Sequence, residues 1–284
     1  MSWRVAGPLS ALAFGLGLLV AIISFGDRGN EAQSGLLPAG SEPEETSAPS
    51  PSPLPPEIKI IALDAGHGGE DTGATYPVDA GVEEALLFEK DLNLAVVFEL
   101  KSLLEDDGGF EVILTRETDE FILAREREAL AVEECERRYG RPCELYISVH
   151  HNGFEDSLVD GPLLIHNEEE DLALASALLE SLQSGLAFPP EVCSYGYFFT
   201  DYGLTQEDFG LPFYEGLPSV TTEAYYLTND CEASHHLSGG ETFTVCDEGG
   251  TCREVTLGTR VQDEAKALYE GIQIYLSSVG DGEY

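Results

Sequence analysis

The stretch IKIIALDAGHGG (58–69) decides the fold. Its first eight residues are mostly apolar and rich in β-branched side chains, the pattern of a buried strand. Gly66, Gly68 and Gly69 then break that strand and set His67 on a tight loop at its end. Outward from this point strands and helices alternate. Asp91 to Asp106 carries Leu92, Ala95, Val96, Leu100, Leu103 and Leu104 at helical spacing, and Gly108-Gly109 can close the helix. Glu89 falls just before or within its first turn. FEVILT (110–115) predicts a second strand, 120–138 a helix, and ELYISVH (144–150) a third strand that delivers His150 at its end. GPLLIH (161–166) predicts a strand, 168–186 an apolar-striped helix, and LPSVTTE (217–223) a strand ending at Glu223. Residues 241–257 read as a hairpin and 259–278 as a closing helix. Such alternation implies an α/β layer fold. Open α/β sheets hold their sites at strand ends, where three of these four polar residues lie.

Composition narrows the function. The 284 residues are 43% hydrophobic, enough for one domain with a substantial core. The net charge is −39, from 53 acidic against 14 basic side chains, and nucleic acid is a poor partner for that surface. The only lysines are Lys59, Lys90, Lys101 and Lys266. Scarce lysine among abundant carboxylates points to a protein that works in salt; an acidic, well-solvated exported protein is the alternative. None of the six cysteines forms the CxxC spacing of a structural zinc site. Outside the cytoplasm they can make three disulfides. Cys246 and Cys252 flank a hairpin turn, Cys135 and Cys143 bracket a helix exit, and Cys193 and Cys231 remain. Buried free thiols are the alternative.

Residues 5–25 hold no charged side chain and are just long enough to span a bilayer core of about 30 Å. Residues 1–26 are therefore expected to be an uncleaved membrane anchor, with a cleaved signal peptide as the alternative. Residues 27–57 are rich in Pro, Ser, Gly and Glu and predict an unfolded linker. The folded domain is expected over 58–280. The protein is thus expected outside the cytoplasm, tethered through its N-terminal segment.

The chemistry lies in four separated segments: LDAGHGG (63–69), LFEKDLNLA (87–95), YISVHHNG (146–153) and SVTTEAYYLTND (219–230). His67, Glu89 and His150 supply two imidazoles and a carboxylate, which can hold one zinc ion and leave a fourth corner for water. Glu223 supplies a second carboxylate, a general base for that water. His151, next along the strand, should face the other way. His166, His235 and His236 read as loop or surface histidines. Arg116 reads as structural, paired with Asp119 or Asp64. Asp64 can support the metal loop from behind. Asn152 can orient the His150 loop or touch substrate.

These segments, in this order, resemble the zinc-dependent N-acetylmuramoyl-L-alanine amidases of the third amidase group. The matching residues are Gly66-His67-Gly68-Gly69, Glu89-Lys90, Thr115-Arg116 with Asp119, Ser148-Val149-His150-His151-Asn152, and Glu223 with Leu227 and Asn229. The resemblance covers residues 58 to 278. It implies a twisted, mixed or mostly parallel sheet with helices on both faces, in a single catalytic domain. It also implies one zinc ion, peptidoglycan as substrate, and hydrolysis of the bond between N-acetylmuramic acid and L-alanine. A monomer is expected. His151 departs from the family's usual small residue. Residues 131–144 and 238–257, both carrying cysteines, look like insertions. Only Gly153 to Asp160 separate two strands between which some relatives carry an inhibitory helix, so no such plug is expected. The competing readings are a zinc carboxypeptidase acting on wall peptides and a wall-binding module without catalysis.

Overall fold

A computed structural model of the chain describes residues 55, 58–78, 80–188, 198–199, 203–206, 214 and 216–280. The expected anchor lies outside these residues, as does the linker apart from Pro55. No helix among the described residues is long and apolar enough to cross a membrane.

The elements run in the order β1 (Lys59–Ala65), β2 (Thr75–Tyr76), β3 (Leu87–Phe88), α1 (Glu89–Asp107), β4 (Phe110–Leu114), α2 (Ala124–Tyr139), β5 (Leu145–Asn152), β6 (Val159–Asp160), β7 (Leu163–His166), α3 (Leu172–Leu186), β8 (Phe198–Phe199), β9 (Gly203–Gln206), β10 (Ser219–Tyr226), α4 (Asp230–Leu237), β11 (Glu241–Cys246), β12 (Cys252–Leu257) and α5 (Arg260–Val279). Six strands make one sheet in the order β4-β1-β5-β10-β7-β9. The ladders from β4 to β10 are parallel, β7 runs antiparallel to β10, and β9 is parallel to β7. The sheet is therefore mixed and mostly parallel.

Strand alternation sorts the core into two layers. Ile61, Leu63 and Ala65 of β1 point into the large cluster formed with α1, α3 and α5. Ile60 and Ala62 point the other way, into a smaller cluster with Ala131 and Cys135 of α2. Helices thus cover both faces. α1 carries Glu89 and Asp91 in its first turn, where the helix dipole favours carboxylates, and stops at Gly108, whose φ of 80° suits the left-handed cap.

Three departures from the sequence-based expectation have physical causes. α2 begins at Ala124 rather than 120. The preceding turn is held away from helix because Arg116 and Asp119 are committed to the β1 loop, and Gly68 packs against the Glu120 carbonyl so closely that no Cβ fits there. α4 was not expected. Its start is written in Asn229, whose side chain accepts the N–H groups of Cys231 and Glu232. β9 continues the sheet beyond β7 as its far edge. Residues 153–158, which join β5 to β6, hold no helix.

The disulfides Cys135–Cys143 and Cys246–Cys252 form as expected. Cys231 is also disulfide-bonded, while Cys193 lies outside the described residues.

Candidate metal centre

His67 follows β1 on the glycine loop with φ 60°, a left-handed conformation uncommon for a side-chain-bearing residue. Glu89 opens α1, His150 sits near the end of β5, and Glu223 sits in β10. Folding gathers the first three. His67 Nε2 and His150 Nδ1 each lie 3.1 Å from the same oxygen, Glu89 Oε1. One donor atom from each residue falls within 4.8 Å of the others. The two rings meet edge to face at 4.8 Å between centroids.

The loop glycines make this crowding possible. A Cβ at Gly66 would sit inside the His150 ring, and one at Gly73 would collide with the Glu89 carboxylate and the His67 ring. The donor set is also pinned from behind. Glu89 Oε2 accepts the Ala74 N–H at 2.7 Å, and Oε1 accepts the His151 N–H at 3.1 Å and Asn93 Nδ2 at 3.3 Å. Arg116 donates to the carbonyls of Ala65, Gly66, Lys90 and Thr118, tying the glycine loop to the start of α1. It pairs directly with neither Asp119 nor Asp64, contrary to expectation. Arg127 takes Asp64 instead, at 2.9 Å, and also donates to the Ala65 and His67 carbonyls. Lys90 takes Asp119 at 2.8 Å.

The electrostatics follow from burial opposed by these partners. Burial works to raise the Glu89 carboxyl, yet the His150 and His67 rings outweigh it and hold the group well below the usual carboxylate range. Burial likewise lowers His67, but Glu89 and then Asp71 push its ring up to about 9. Asp71 Oδ1 lies 2.9 Å from His67 Nδ1 but out of line with a ring N–H, so the contact is one of charge rather than a directed hydrogen bond. Asp64, fully buried, is held below its usual range by Arg127 and the Ser148 and Thr115 hydroxyls, against the effect of burial.

Glu223 is the register partner of His150 across the β10–β5 ladder. Both line a cavity of about 510 Å³ together with His67, Asp71, Phe121 and Asn167. The residue is half-buried, yet its Oε2 is enclosed and has no hydrogen-bond partner. Burial and then the charge of Glu89 push its carboxyl up to about 8. A carboxyl so placed keeps its proton at neutrality, and a cation among the neighbouring donors would lower it into the range of a proton acceptor.

His151 faces away, as strand alternation requires. Its Nδ1 meets Asn93 Oδ1 and its Nε2 meets Glu264 Oε2, both at 2.7 Å, among buried groups on the α1–α5 side. Asn152 caps the Gly153 N–H at 3.0 Å. Contrary to expectation His166 is buried at the end of β7, where it bonds the Glu168 carbonyl, and His236 is fully buried against the Tyr225 hydroxyl, while His235 is half-buried. Sequence reasoning missed Asp71, Asn93 and Arg127. Asn93 had a signal, four residues beyond Glu89 on one helix face; Arg127 had none, because its partners are about 60 residues away.

A family model described as N-acetylmuramoyl-L-alanine amidase matches residues 61–239, more than half of the chain. The chain belongs to the N-acetylmuramoyl-L-alanine amidase family. Among relatives of this amidase, the uncharacterised protein YqiI of Bacillus subtilis is 31% identical over 182 residues, covering 63% of this chain and 75% of that protein. The probable cell wall amidase LytH of Staphylococcus saprophyticus is 29% identical over 180 residues, covering 63% of this chain and 52% of LytH. The chain therefore spans about half of LytH's length. The CwlD amidase of Clostridioides difficile, solved in complex with the GerS lipoprotein, is 27% identical with a TM-score of 0.55, covering 78% of this chain and 99% of CwlD. The amidase fold of these relatives and the His67–Glu89–His150 cluster coincide in one molecule, and that cluster can hold a metal ion.

Proposed function

We propose that the protein hydrolyses the amide bond between N-acetylmuramic acid and L-alanine in peptidoglycan, with one zinc ion held by His67, Glu89 and His150 and with Glu223 as general base. The observation that carries this reading is the convergence of two ring nitrogens on one carboxylate oxygen beside an unpartnered carboxylate in the same cavity. Two imidazoles and one carboxylate are a zinc donor set, and the Gly66 and Gly73 cradles keep the three donors together. Bound there, the ion supplies a Lewis acid that polarises the amide carbonyl and makes water acidic near neutrality. Glu223 takes a proton from the attacking water and returns it to the leaving nitrogen. Arg116, Arg127 and Asn93 hold the loop and the ligand carboxylate in place throughout.

Action on the wall places the enzyme outside the cytoplasm, in wall remodelling or separation of daughter cells. Residues 1–26 serve as a membrane anchor or signal, 27–57 as the linker to the wall, and 58–280 as the catalytic domain, which works as a monomer. Digestion of purified muropeptides by the full chain, read by mass spectrometry beside metal analysis, tests the proposal. Release of intact stem peptides from muramic acid is expected. Trimmed stem peptides would make the protein a carboxypeptidase, and binding without cleavage would make it a wall-binding module.

A further inference from the structure

The β11–β12 hairpin lies beyond the segment matched by the family model, which ends at residue 239. Cys246 and Cys252 are register partners in its ladder and close it with a disulfide. The hairpin is docked, not free. The Cys246 carbonyl accepts the Asp119 N–H at 2.7 Å, and Asp119 and Asp247 form an isolated parallel bridge. Arg253, next to Cys252, forks onto Asp91: Nη1 donates to Oδ2 at 2.7 Å and Nη2 to Oδ1. Nη2 also reaches Asp119 Oδ2 at 3.2 Å.

Asp119 is where the hairpin meets the metal centre. Its Oδ1 accepts the Gly69 N–H at 2.8 Å and its Oδ2 accepts Lys90 Nζ at 2.8 Å, while Lys90 Nζ also donates to the Gly69 carbonyl. Gly69 is two residues from His67, and Lys90 adjoins Glu89. One carboxylate therefore ties together the two segments that carry these donors. Asp91 lies one turn position further along, with its side chain 4% exposed. Among the described residues, Arg253 is the only cation in ion-pair contact with it. A nearly buried carboxylate deprived of its cation is destabilising, so the start of α1 depends on the hairpin. The two hairpin anchors, the Cys246 carbonyl and the Arg253 guanidinium, stand on opposite strands, and the disulfide fixes their separation.

We propose that Arg253, presented by the disulfide-closed hairpin, is a positioning residue that holds the His67 and Glu89 segments in metal-binding geometry through Asp119 and Asp91. The inference rests on the metal-centre reading and adds to it a clamp from outside the family-matched segment. Arginine suits the role because its planar fork meets a carboxylate with two parallel bonds, which lysine cannot do.

The test uses the full chain. Zinc affinity is measured by competition with a chelator, and hydrogen exchange is followed at the Gly69 amide in the metal-free protein. Arg253→Gln is expected to weaken zinc binding about tenfold, the usual scale for losing a residue that orients a metal ligand. Gly69 exchange should quicken, while the Leu63 and Ile147 amides of the central strands stay protected. Arg253→Lys should recover part of both losses. The Cys246→Ser, Cys252→Ser double variant should move both readouts in the same direction as Arg253→Gln. Glu248→Gln, at the exposed hairpin tip, should change neither. Unaltered Gly69 exchange in Arg253→Gln would overturn the clamp, and so would a uniform rise across all three amides, which signals general destabilisation. Wild-type protein that binds no zinc would instead remove the metal-centre reading, and the Gly69 measurement would still decide the clamp.

Discussion

Glu223 and His150 stand directly opposite each other on adjacent parallel strands. Because side chains alternate along a strand, this single pairing places a carboxylate and an imidazole on one face of the sheet. The pairs Thr221–Ser148 and Ser219–Tyr146 extend the same face beneath the cavity. The role proposed for Glu223 depends on that register: a one-residue slip would turn it into the opposite layer.

Glu223→Gln should therefore keep the fold and the metal while losing the base. The amide fills the same volume and retains an oxygen, but it cannot take a proton near neutrality. A fall in kcat of about 10²–10⁴-fold is expected, the range for losing a general base. Zinc content should stay at one ion per chain. Stem-peptide release measured against wild type checks this, and activity within a few-fold of wild type would remove Glu223 from the role.

The places of the four candidate residues in the fold were legible because each ends or begins an element whose local pattern is strong. The strand 58–65 announces His67, the helix after Phe88 announces Glu89, and the strands ending at 150 and 223 announce the other two. What could not be read was the supporting layer. Arg127 serves carbonyls and a carboxylate of the β1 segment through a helix that begins more than 50 residues later. Arg253 reaches Asp91 across 162 positions. No local periodicity encodes such partners; they exist only once the helices dock. His236 was misread for the same reason, since two adjacent histidines look solvent-exposed until α4 turns one of them inward.

Metal uptake should depend on pH with a definite sign. In the metal-free protein His67 is held protonated, with its ring pushed up to about 9 by Glu89 and Asp71 against burial. A ring nitrogen must shed that proton to bind a cation. Zinc binding at pH 7 is expected to release a proton from His67, and affinity should rise with pH by up to about tenfold per unit until near pH 9. Titration calorimetry in buffers of different ionisation heat counts the protons. Asp71→Asn should flatten the slope. An affinity independent of pH between 6 and 9 would contradict the assignment.

The net charge of −39 predicts a dependence on salt. At 0.1 M the screening length is about 10 Å and at 1 M about 3 Å, so concentrated salt removes most of the self-repulsion of the folded state. Thermal unfolding should move to higher temperature between these two conditions. Equal unfolding temperatures would mean that the acidic surface serves solubility alone.

Asp160 makes a prediction in the opposite part of the molecule's titration. It is fully buried in β6, its Oδ1 accepts the Tyr226 N–H at 3.0 Å, and its Oδ2 has no partner. Burial and then the charge of Glu232 push the carboxyl up to about 8, outweighing the N–H groups of Tyr226 and Gly161 and the Arg260 guanidinium. In the unfolded chain the same group titrates near its ordinary value of 3.8. Between those two values the folded state binds a proton that the unfolded state lacks. Its contribution to stability is therefore complete below about 4 and is lost as pH rises toward 8, at up to about 1.4 kcal/mol per pH unit. Asp160→Asn keeps the shape and the acceptor oxygen but cannot ionise. The variant should match wild type in acid and become progressively more stable than wild type from pH 5 to pH 9. Urea unfolding at pH 5, 7 and 9 measures the gap between the two proteins. A gap that stays constant across the three pH values would show that Asp160 ionises in the folded protein as readily as in the unfolded chain, and that Glu232 and burial do not act on it.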